Sequence, residues 1–317
     1  MRPPARPLHI VNAALNITQG RNLAWQERKA ASFTFSPLHC GFTLGAGTGD
    51  AATQTLLWAG LENTGGYRST KAWAADGDER SGITLGTVVA TSGAAASPVS
   101  GKSTLPALAF VATVFNARLG RWLPNPLQSH WRKSGPVAGL YYLLSELFGY
   151  ATESTRFVYL SDGGHFDNTG VYELVRRQCK VIIAVDATAD AGRGMEDLAN
   201  LVRKCRIDFG TRISFAVDRL GGDKEAQAKS KGFVFGTIDY GSGREPGTLV
   251  VMKPTLFALP RLSVDLFSYG RERASFPHQT TVDQFFSESQ FESYRELGLQ
   301  IARSCLHDPR FARTLPL

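Results

Sequence analysis

Cysteine is scarce in this sequence, with 4 among 317 residues. Cys40, Cys179, Cys205 and Cys305 lie far apart, and no pair has the spacing of metal ligands or of a redox motif. The six histidines show no metal-ligand spacing either. This pattern excludes a disulfide framework and indicates reduced, mostly buried thiols, as in an intracellular compartment. We therefore expect no metal site.

Long apolar runs are missing as well. The longest candidate, residues 105–115, is shorter than the ~18 residues that a membrane-spanning helix needs, and it predicts a buried helix. Near the start, Asn12, Asn16 and several prolines argue against a signal peptide. We predict a chain that is cytoplasmic or peripheral to the inner face of a membrane.

Acidic residues are absent between Arg80 and Glu146. The same stretch carries five basic residues, so the net charge of +7 is unevenly distributed along the chain. A basic surface that bears tryptophan could face an anionic membrane or a nucleic acid, and an ordinary solvated face is the equal alternative. The aromatic residues are too sparse to favour nucleic acid. The candidate lipid-facing rim consists of Arg118, Arg121, Trp122, Arg132 and Lys133.

The composition is that of a globular protein, 43% hydrophobic and 20% charged. Its length predicts one large domain over residues 1–317. A proline-rich lead-in occupies residues 1–7. Residues 45–82 are rich in Gly, Thr, Ala and Asp, which predicts a long surface excursion.

The clearest secondary-structure pattern lies near the middle of the chain. Residues 156–160 predict a strand, 161–167 a loop, 168–178 a helix, and 180–187 a second, almost wholly apolar strand. Such a unit is typical of parallel strands that are covered on both faces. We therefore expect an α/β fold with a mostly parallel central sheet flanked by helices.

Three further patterns follow. Residues 195–210 predict an amphipathic helix closed by Gly210. Residues 233–241 and 247–254 predict an antiparallel pair near the sheet edge. The tail predicts a helix with its apolar residues roughly on one face, namely Phe285, Phe286, Tyr294, Leu297 and Ile301.

The loop after the strand at 156–160 is the strongest candidate for a site. Asp162 follows the strand, where chemistry concentrates in open α/β sheets. Gly163 and Gly164 permit a tight turn and close approach of another group. A helix whose plausible N-cap is Asn168 would favour the ionised carboxylate. Such a carboxylate could orient or deprotonate a hydroxyl nucleophile, whereas the alternative from spacing alone is a turn-capping aspartate.

A family resemblance favours the catalytic interpretation. The segment "YLSDGGHFDNTGVYELVRR" resembles the Asp-Gly-Gly/Ala box of patatin-like phospholipases, which are related to the catalytic core of cytosolic phospholipase A2. The upstream segment "VATSGAAASP" is similar to the Ala-Thr-Ser-Ala-Ala-Pro segment of those enzymes. Three other segments, "IVNAALN", "LAWQERKAASFTFSPLHCG" and "FPHQTTVDQFFSESQFESYRELG", resemble larger bacterial patatin-like proteins. The resemblance covers most of the chain.

The resemblance implies lipid ester hydrolysis by a Ser–Asp dyad in which Asp162 is the acid. The family's serine lies in a Gly-x-Ser-x-Gly elbow, and this sequence contains no such motif. Ser81, Ser92, Ser134 and Ser242 all lack the required glycines. The resemblance therefore implies the C-terminal portion of such an enzyme, without its N-terminal strands and without its nucleophile.

Four other residues have weaker functional interpretations. Ser92 could be a substitute nucleophile, but a role in holding the backbone close behind the site is favoured. A loop histidine bonded to backbone is favoured for His165, and a capping role for Asp186. Asn168 could fix the Asp162 loop by hydrogen bonds to the backbone.

Two classes of function remain open. In the first, the chain supplies Asp162 to an acyl hydrolase that acts on a lipid or phospholipid, with a membrane surface as a possible partner and no nucleic acid. In the second, the chain is a non-catalytic remnant that binds lipid or protein. Nucleotide binding is weaker, because the loop lacks Gly-x-Gly-x-x-Gly spacing.

Overall fold

The computed structural model consists of two compact units, Met1–Asn168 and Thr169–Leu317. The prediction of a single domain over residues 1–317 stays a prediction, and each unit is described here by itself. The predicted lead-in, except residue 7, and the predicted buried helix at 105–115 lie outside the described residues. The structure describes residues 7–17, 28–43, 66–76, 82–94, 120–136, 155–192, 194–220, 230–241, 243–256, 262–279 and 285–314.

The described part of the first unit is built on a six-stranded sheet in which every pairing is antiparallel. The strand order is β4-β3-β2-β1-β6-β5. The strands are β1 (Val11–Asn16), β2 (Ala30–Phe35), β3 (His39–Gly41), β4 (Tyr67–Ser69), β5 (Arg121–Pro124) and β6 (Phe157–Asp162).

Strand β1 lies between β2 and β6, and its side chains alternate between two buried faces. Leu15 is opposite Leu160 of β6 and belongs to the main core of this unit. Asn16, the next residue, points to the other face and is also buried. Successive side chains of a strand point to opposite faces, so the sequence of β1 places apolar groups on one face and asparagines on the other.

Helix α1 (Leu85–Ser92) packs against β1 and β6. It begins after Thr84, whose hydroxyl accepts a hydrogen bond from the Thr87 N–H at 3.1 Å and so caps the helix. Helix α1 therefore brings the segment that begins the "VATSGAAASP" stretch next to the strand that ends in Asp162.

Part of the predicted surface excursion is integrated into this unit. Strand β4 joins the sheet, and Trp73 is completely buried in the core. Its indole Nε1 donates to the carbonyl of Pro124 at 3.1 Å. Residues 66–76 thus contribute a strand and a buried core side chain to this unit. Residues 45–65 and 77–81 lie outside the described part of the chain, and the surface excursion over residues 45–82 stays a prediction.

The second unit contains a four-stranded sheet among its described residues, in the order β7-β10-β9-β8. Strand β7 pairs parallel with β10, and the other two pairings are antiparallel. The strands are β7 (Val181–Val185), β8 (Arg212–Phe215), β9 (Phe233–Asp239) and β10 (Gly247–Met252). The helices are α2 (Val171–Arg176), α3 (Glu196–Phe209), α4 (Val264–Glu272), α5 (Glu288–Leu306) and α6 (Pro309–Thr314).

One of the three sequence patterns in this unit is confirmed, and two are partly wrong. Helix α3 is closed by Gly210, which adopts the left-handed conformation at φ 66°. Helix α5 buries Leu297 and Ile301 against the core. Phe285 and Phe286, however, are exposed and precede the helix, which begins after the capping residue Ser287.

The expected mostly parallel sheet is wrong, because the sheets are mostly antiparallel. Strands β6 and β7, which the sequence pattern joined in one βαβ unit, belong to different sheets. The apolar run of β6 is buried on both faces, with Leu160 in the main core and Tyr159 in a second cluster. An antiparallel strand covered on both faces gives the same apolar run as a buried parallel strand. The β9–β10 pair is antiparallel as predicted but occupies the middle of its sheet.

Within the described residues, none of the helices combines the length and the apolar character required to cross a bilayer.

Candidate functional site

Asp162 is the last residue of β6 and lies opposite Ala13 of β1 in the antiparallel register. Its side chain is partly buried. Its backbone N–H donates to the carbonyl of Ala94 at 3.3 Å, just after helix α1. The acid loop and the small-residue segment that were noted separately in the sequence are therefore direct neighbours.

The two oxygens of the Asp162 carboxylate have different surroundings. Oδ1 accepts a hydrogen bond from the Gly164 N–H at 2.6 Å and caps the 3-10 turn Gly163–His165. Within the described part of the chain, no hydrogen bond or ion pair engages Oδ2. The aspartate therefore caps the turn with one oxygen, and its other oxygen can accept a proton or a hydroxyl hydrogen bond.

A side chain would not fit at Gly163 or at Gly164, because other atoms lie close to the loop on both sides. A Cβ at Gly163 would lie 2.6 Å from the carbonyl oxygen of Asn12. A Cβ at Gly164 would overlap the Asn168 side-chain oxygen and lie 3.0 Å from Asp162 Oδ1. The absence of side chains thus lets β1 and Asn168 approach the loop that carries the acid.

Asn168 is not the N-cap of the next helix, contrary to the prediction. Helix α2 begins at Val171, after Gly170 at φ 69°. The glycine adopts the left-handed conformation that ends the loop, so the helix starts later than the sequence pattern indicates. The helix therefore does not begin immediately after the acid loop. Asn168 instead contacts the acid loop at Gly164.

Ser92 is the last residue of α1, and its hydroxyl donates to the carbonyl of Asn12 at 2.7 Å. Asn12 is also the residue whose carbonyl lies against Gly163. Ser92 therefore links helix α1 to the strand that supports the acid loop. Its hydroxyl proton is engaged by backbone, which fits the structural role that the sequence favoured.

A polar network on the other face of β6 was missed in the sequence. Asn16 Nδ2 donates to the hydroxyl of Ser161 at 2.8 Å, and this hydroxyl lies 3.1 Å from His165 Nδ1. Ser161 and Asn16 are buried, and Asn16 Oδ1 has no hydrogen-bond partner in the described residues. The only sequence signal was the pair of asparagines in an otherwise apolar strand. His165 thus bonds to a side chain, whereas a bond to backbone was predicted.

The residues of the candidate rim differ in exposure. Arg121, Arg132 and Lys133 are exposed, whereas Trp122 is buried and packs on Tyr159 at a ring-centroid distance of 5.3 Å. Trp122 cannot face lipid in this conformation, because its strand position directs it to the second aromatic cluster. Arg118 lies outside the described residues.

Asp186 caps the chain after β7, as predicted, and also forms a buried ion pair. Its Oδ1 accepts from the N–H of Thr188 at 3.1 Å, and its Oδ2 lies 2.9 Å from Lys253 Nζ. Asp190 lies 3.6 Å from the same ammonium group. In the residues that the structure covers, no set of three or more His, Cys, Asp or Glu side chains could hold a metal ion.

Comparison with known proteins gives one structural relationship. No family model matches the chain, and no curated protein matches it. The structure is similar to that of human GIVD cytosolic phospholipase A2, with a TM-score of 0.51 and 16% sequence identity. The match covers 95% of this chain and 44% of that chain, so this chain spans less than half the length of the phospholipase structure. The chain has a distantly phospholipase-like fold.

Proposed function

We propose that this chain is part of a phospholipase-type acyl ester hydrolase and that Asp162 is the acid of its Ser–Asp dyad. The observation that carries the proposal is the position of Asp162, at a strand end with Oδ1 fixed by Gly164 and Oδ2 without a partner among the described residues. The phospholipase-like fold supports the same class of reaction. Lipid or phospholipid is the proposed substrate, and peripheral contact with a membrane surface is part of this proposal.

The nucleophile is proposed to be a serine outside this sequence, because the sequence contains no Gly-x-Ser-x-Gly. Asp162 Oδ2 would accept the proton of that serine as its oxygen attacks the ester carbonyl. The proton would then pass to the leaving alcohol, and water would release the fatty acid from the acyl-serine by the same route in reverse. Backbone amides outside this sequence would stabilise the oxyanion. No cofactor takes part.

The hydrogen bond that Asp162 accepts from Gly164 suits this aspartate to act as the acid of the dyad. An acid that acts without histidine must be held in one orientation, since a rotating carboxylate would present either oxygen. The 2.6 Å bond from Gly164 N–H fixes the orientation, and the Cβ-free positions at Gly163 and Gly164 let Asn12 and Asn168 pack closely against the loop.

A non-catalytic role in binding lipid or protein is the second candidate function. The absence of the Gly-x-Ser-x-Gly elbow from the sequence favours it. The two candidates differ in one measurable property. The hydrolase forms a covalent acyl-serine intermediate, and the non-catalytic protein does not.

The longest open reading frame that contains this sequence provides the test. The hydrolase proposal expects a Gly-x-Ser-x-Gly N-terminal to Met1 and hydrolysis of a phospholipid by the full product. Asp162→Asn should then lower kcat by about 10³-fold or more, because the proton acceptor is lost. The matched control is Asp167→Asn, which removes a neighbouring carboxylate and should retain activity.

Two results would decide against the proposal. A reading frame without the elbow, together with a product that turns over no ester, would leave the non-catalytic candidate. Labelling of the 317-residue chain by a fluorophosphonate probe, abolished by Asp162→Asn, would show that the nucleophile lies within this sequence.

A further inference from the structure

Two segments of the first unit that lie far apart in sequence form a surface that is separate from the acid loop in sequence. Residues 66–76 and 120–136 are joined by backbone hydrogen bonds, from Ala74 N–H to the Trp131 carbonyl at 3.1 Å and from Asp76 N–H to the Arg132 carbonyl at 2.6 Å. Strand β4, which lies in the first segment, is an edge strand of the sheet. These bonds fix the position of Trp131 and its neighbours.

The indole of Trp131 lies under two arginines. The guanidinium carbon of Arg132 is 4.7 Å from the ring centroid, and that of Arg68 is 5.3 Å away. Arg68 Nε also donates to the carbonyl of Pro126 at 2.7 Å. Trp131 is partly buried and packs against the main core. We call Arg68, Trp131, Arg132 and Lys133 the Trp131 patch.

The surroundings of the Trp131 patch are strongly basic. Residues 66–76 and 120–136 contain five lysines and arginines and a single carboxylate, that of Asp76. Asp76 lies 3.7 Å from Lys133 Nζ and accepts a hydrogen bond from Ser134, so it offsets only part of this charge. The patch therefore presents a net positive field around a half-buried tryptophan.

We propose that the Trp131 patch docks the protein on an anionic lipid bilayer. Tryptophan is favoured at the boundary between headgroups and acyl chains, and basic side chains near it are attracted to anionic lipids. A phosphate-rich headgroup layer offers acceptors for both guanidinium groups. Docking itself requires no hydrolysis, so this proposal does not depend on the proposed reaction.

Nucleic acid fits the Trp131 patch less well. Single strands bind by stacking successive bases on several free aromatic faces. The patch has one indole, and two guanidinium groups already lie over its ring. A membrane surface needs no such stacking platform.

Vesicle sedimentation tests the proposal on the whole chain. We expect binding to phosphatidylcholine vesicles that contain phosphatidylserine, and little binding to pure phosphatidylcholine. Arg68→Gln with Arg132→Gln should weaken the binding by about 25-fold, at about fivefold for each charge. The charge-retaining variant Arg68→Lys with Arg132→Lys should recover most of the affinity. Higher salt should weaken all of these interactions.

The control removes two exposed arginines of the second unit, by Arg271→Gln with Arg303→Gln. If this control loses as much vesicle binding as the patch variant, the binding depends on the net charge of the protein and not on the Trp131 patch. That result would overturn the proposal. If the double glutamine variant does not fold, Arg132→Gln alone should still lower the affinity by about fivefold. Among the described residues the Arg132 side chain forms no hydrogen bond or ion pair and lies over the Trp131 ring, so its loss should disturb the fold little.

Two other results would overturn the proposal. The first is equal binding to vesicles with and without phosphatidylserine. The second is tight binding of a single-stranded oligonucleotide that the glutamine variant loses, in the absence of vesicle binding. Failure of ester hydrolysis would leave vesicle binding unchanged, so the two proposals can fail separately.

Discussion

Gly164 donates its backbone N–H to Asp162 Oδ1 at 2.6 Å. This bond gives the aspartate a structural function that is separable from any chemical one, because it occupies only one of the two carboxylate oxygens. A substitution that keeps the acceptor but removes the charge should therefore distinguish the two functions.

Asp162→Asn should leave the stability of the chain nearly unchanged, because the asparagine carbonyl can accept the same hydrogen bond. Asp162→Ala removes the acceptor and should lower the free energy of unfolding by about 1 kcal/mol. Urea denaturation of both variants provides the measurement. Equal stability of the two variants would contradict the capping role.

Gly163→Ala should destabilise the first unit by about 1–3 kcal/mol, because the new Cβ would lie 2.6 Å from the Asn12 carbonyl and the backbone would have to move. Gly135→Ala is the matched control, since nothing lies within 4 Å of its Cβ position. Thermal unfolding compares the two. If the Gly163→Ala variant is as stable as the control, the packing between β1 and the acid loop is loose enough to accept a Cβ.

Ser161→Ala should cost about 1 kcal/mol or more, because the buried Asn16 amide loses its 2.8 Å partner. Among the described residues this amide keeps only two longer contacts of 3.4 Å, to the carbonyls of Ala14 and Tyr159. Ser92→Ala breaks a bond to a carbonyl at a less buried position and should cost less. Denaturation curves for the two alanine variants test this order of stabilities, and the reverse order would contradict it.

Lys253→Met should destabilise the second unit by about 3–5 kcal/mol, because it leaves the completely buried Asp186 carboxylate without its counter-charge. Adding Asp186→Asn to this variant should recover part of the loss. Lys180→Met, which breaks an exposed pair with Glu245, should change little. Urea denaturation measures the free energy of unfolding of all three variants. If the double variant is no more stable than Lys253→Met, the destabilisation does not come from the unpaired carboxylate.

Burial raises the pKa of the Cys305 thiol from 9.0 to about 11. The unfolded chain therefore loses this proton before the folded chain does. The associated stability is fully present below pH 9 and is lost as the pH rises toward 11. Between pH 9 and pH 10 the loss is about 1 kcal/mol. Denaturation at a series of pH values should show a shallower alkaline decline for Cys305→Ala than for a Ser304→Ala control, and identical slopes would contradict it.

Local patterns in the sequence were sufficient for several elements. Helix α3 follows from its apolar period and its closing Gly210, and helix α5 from the apolar residues on one of its faces. The position of Asp162 at a strand end was also predictable, because the apolar run stops at a polar residue followed by two glycines.

Other features had no local signal. Strands β3 and β4 have three residues each, too few to show a period. Trp122 and Trp131 both belong to the basic stretch, yet Trp122 is buried and Trp131 lies under two arginines. Which tryptophan meets the surface depends on the neighbouring strand and on a segment more than fifty residues away in sequence.

The sequence by itself determined where this chain can turn, cap and bury side chains, and it therefore located the acid loop and its glycines. Tertiary structure alone decided which strands pair, because an apolar run buried on both faces is compatible with parallel and antiparallel partners. It also decided the contacts of Asp162 with Ala94, and of Asn16 with Ser161, since each joins segments distant in sequence that only the folded sheet brings together.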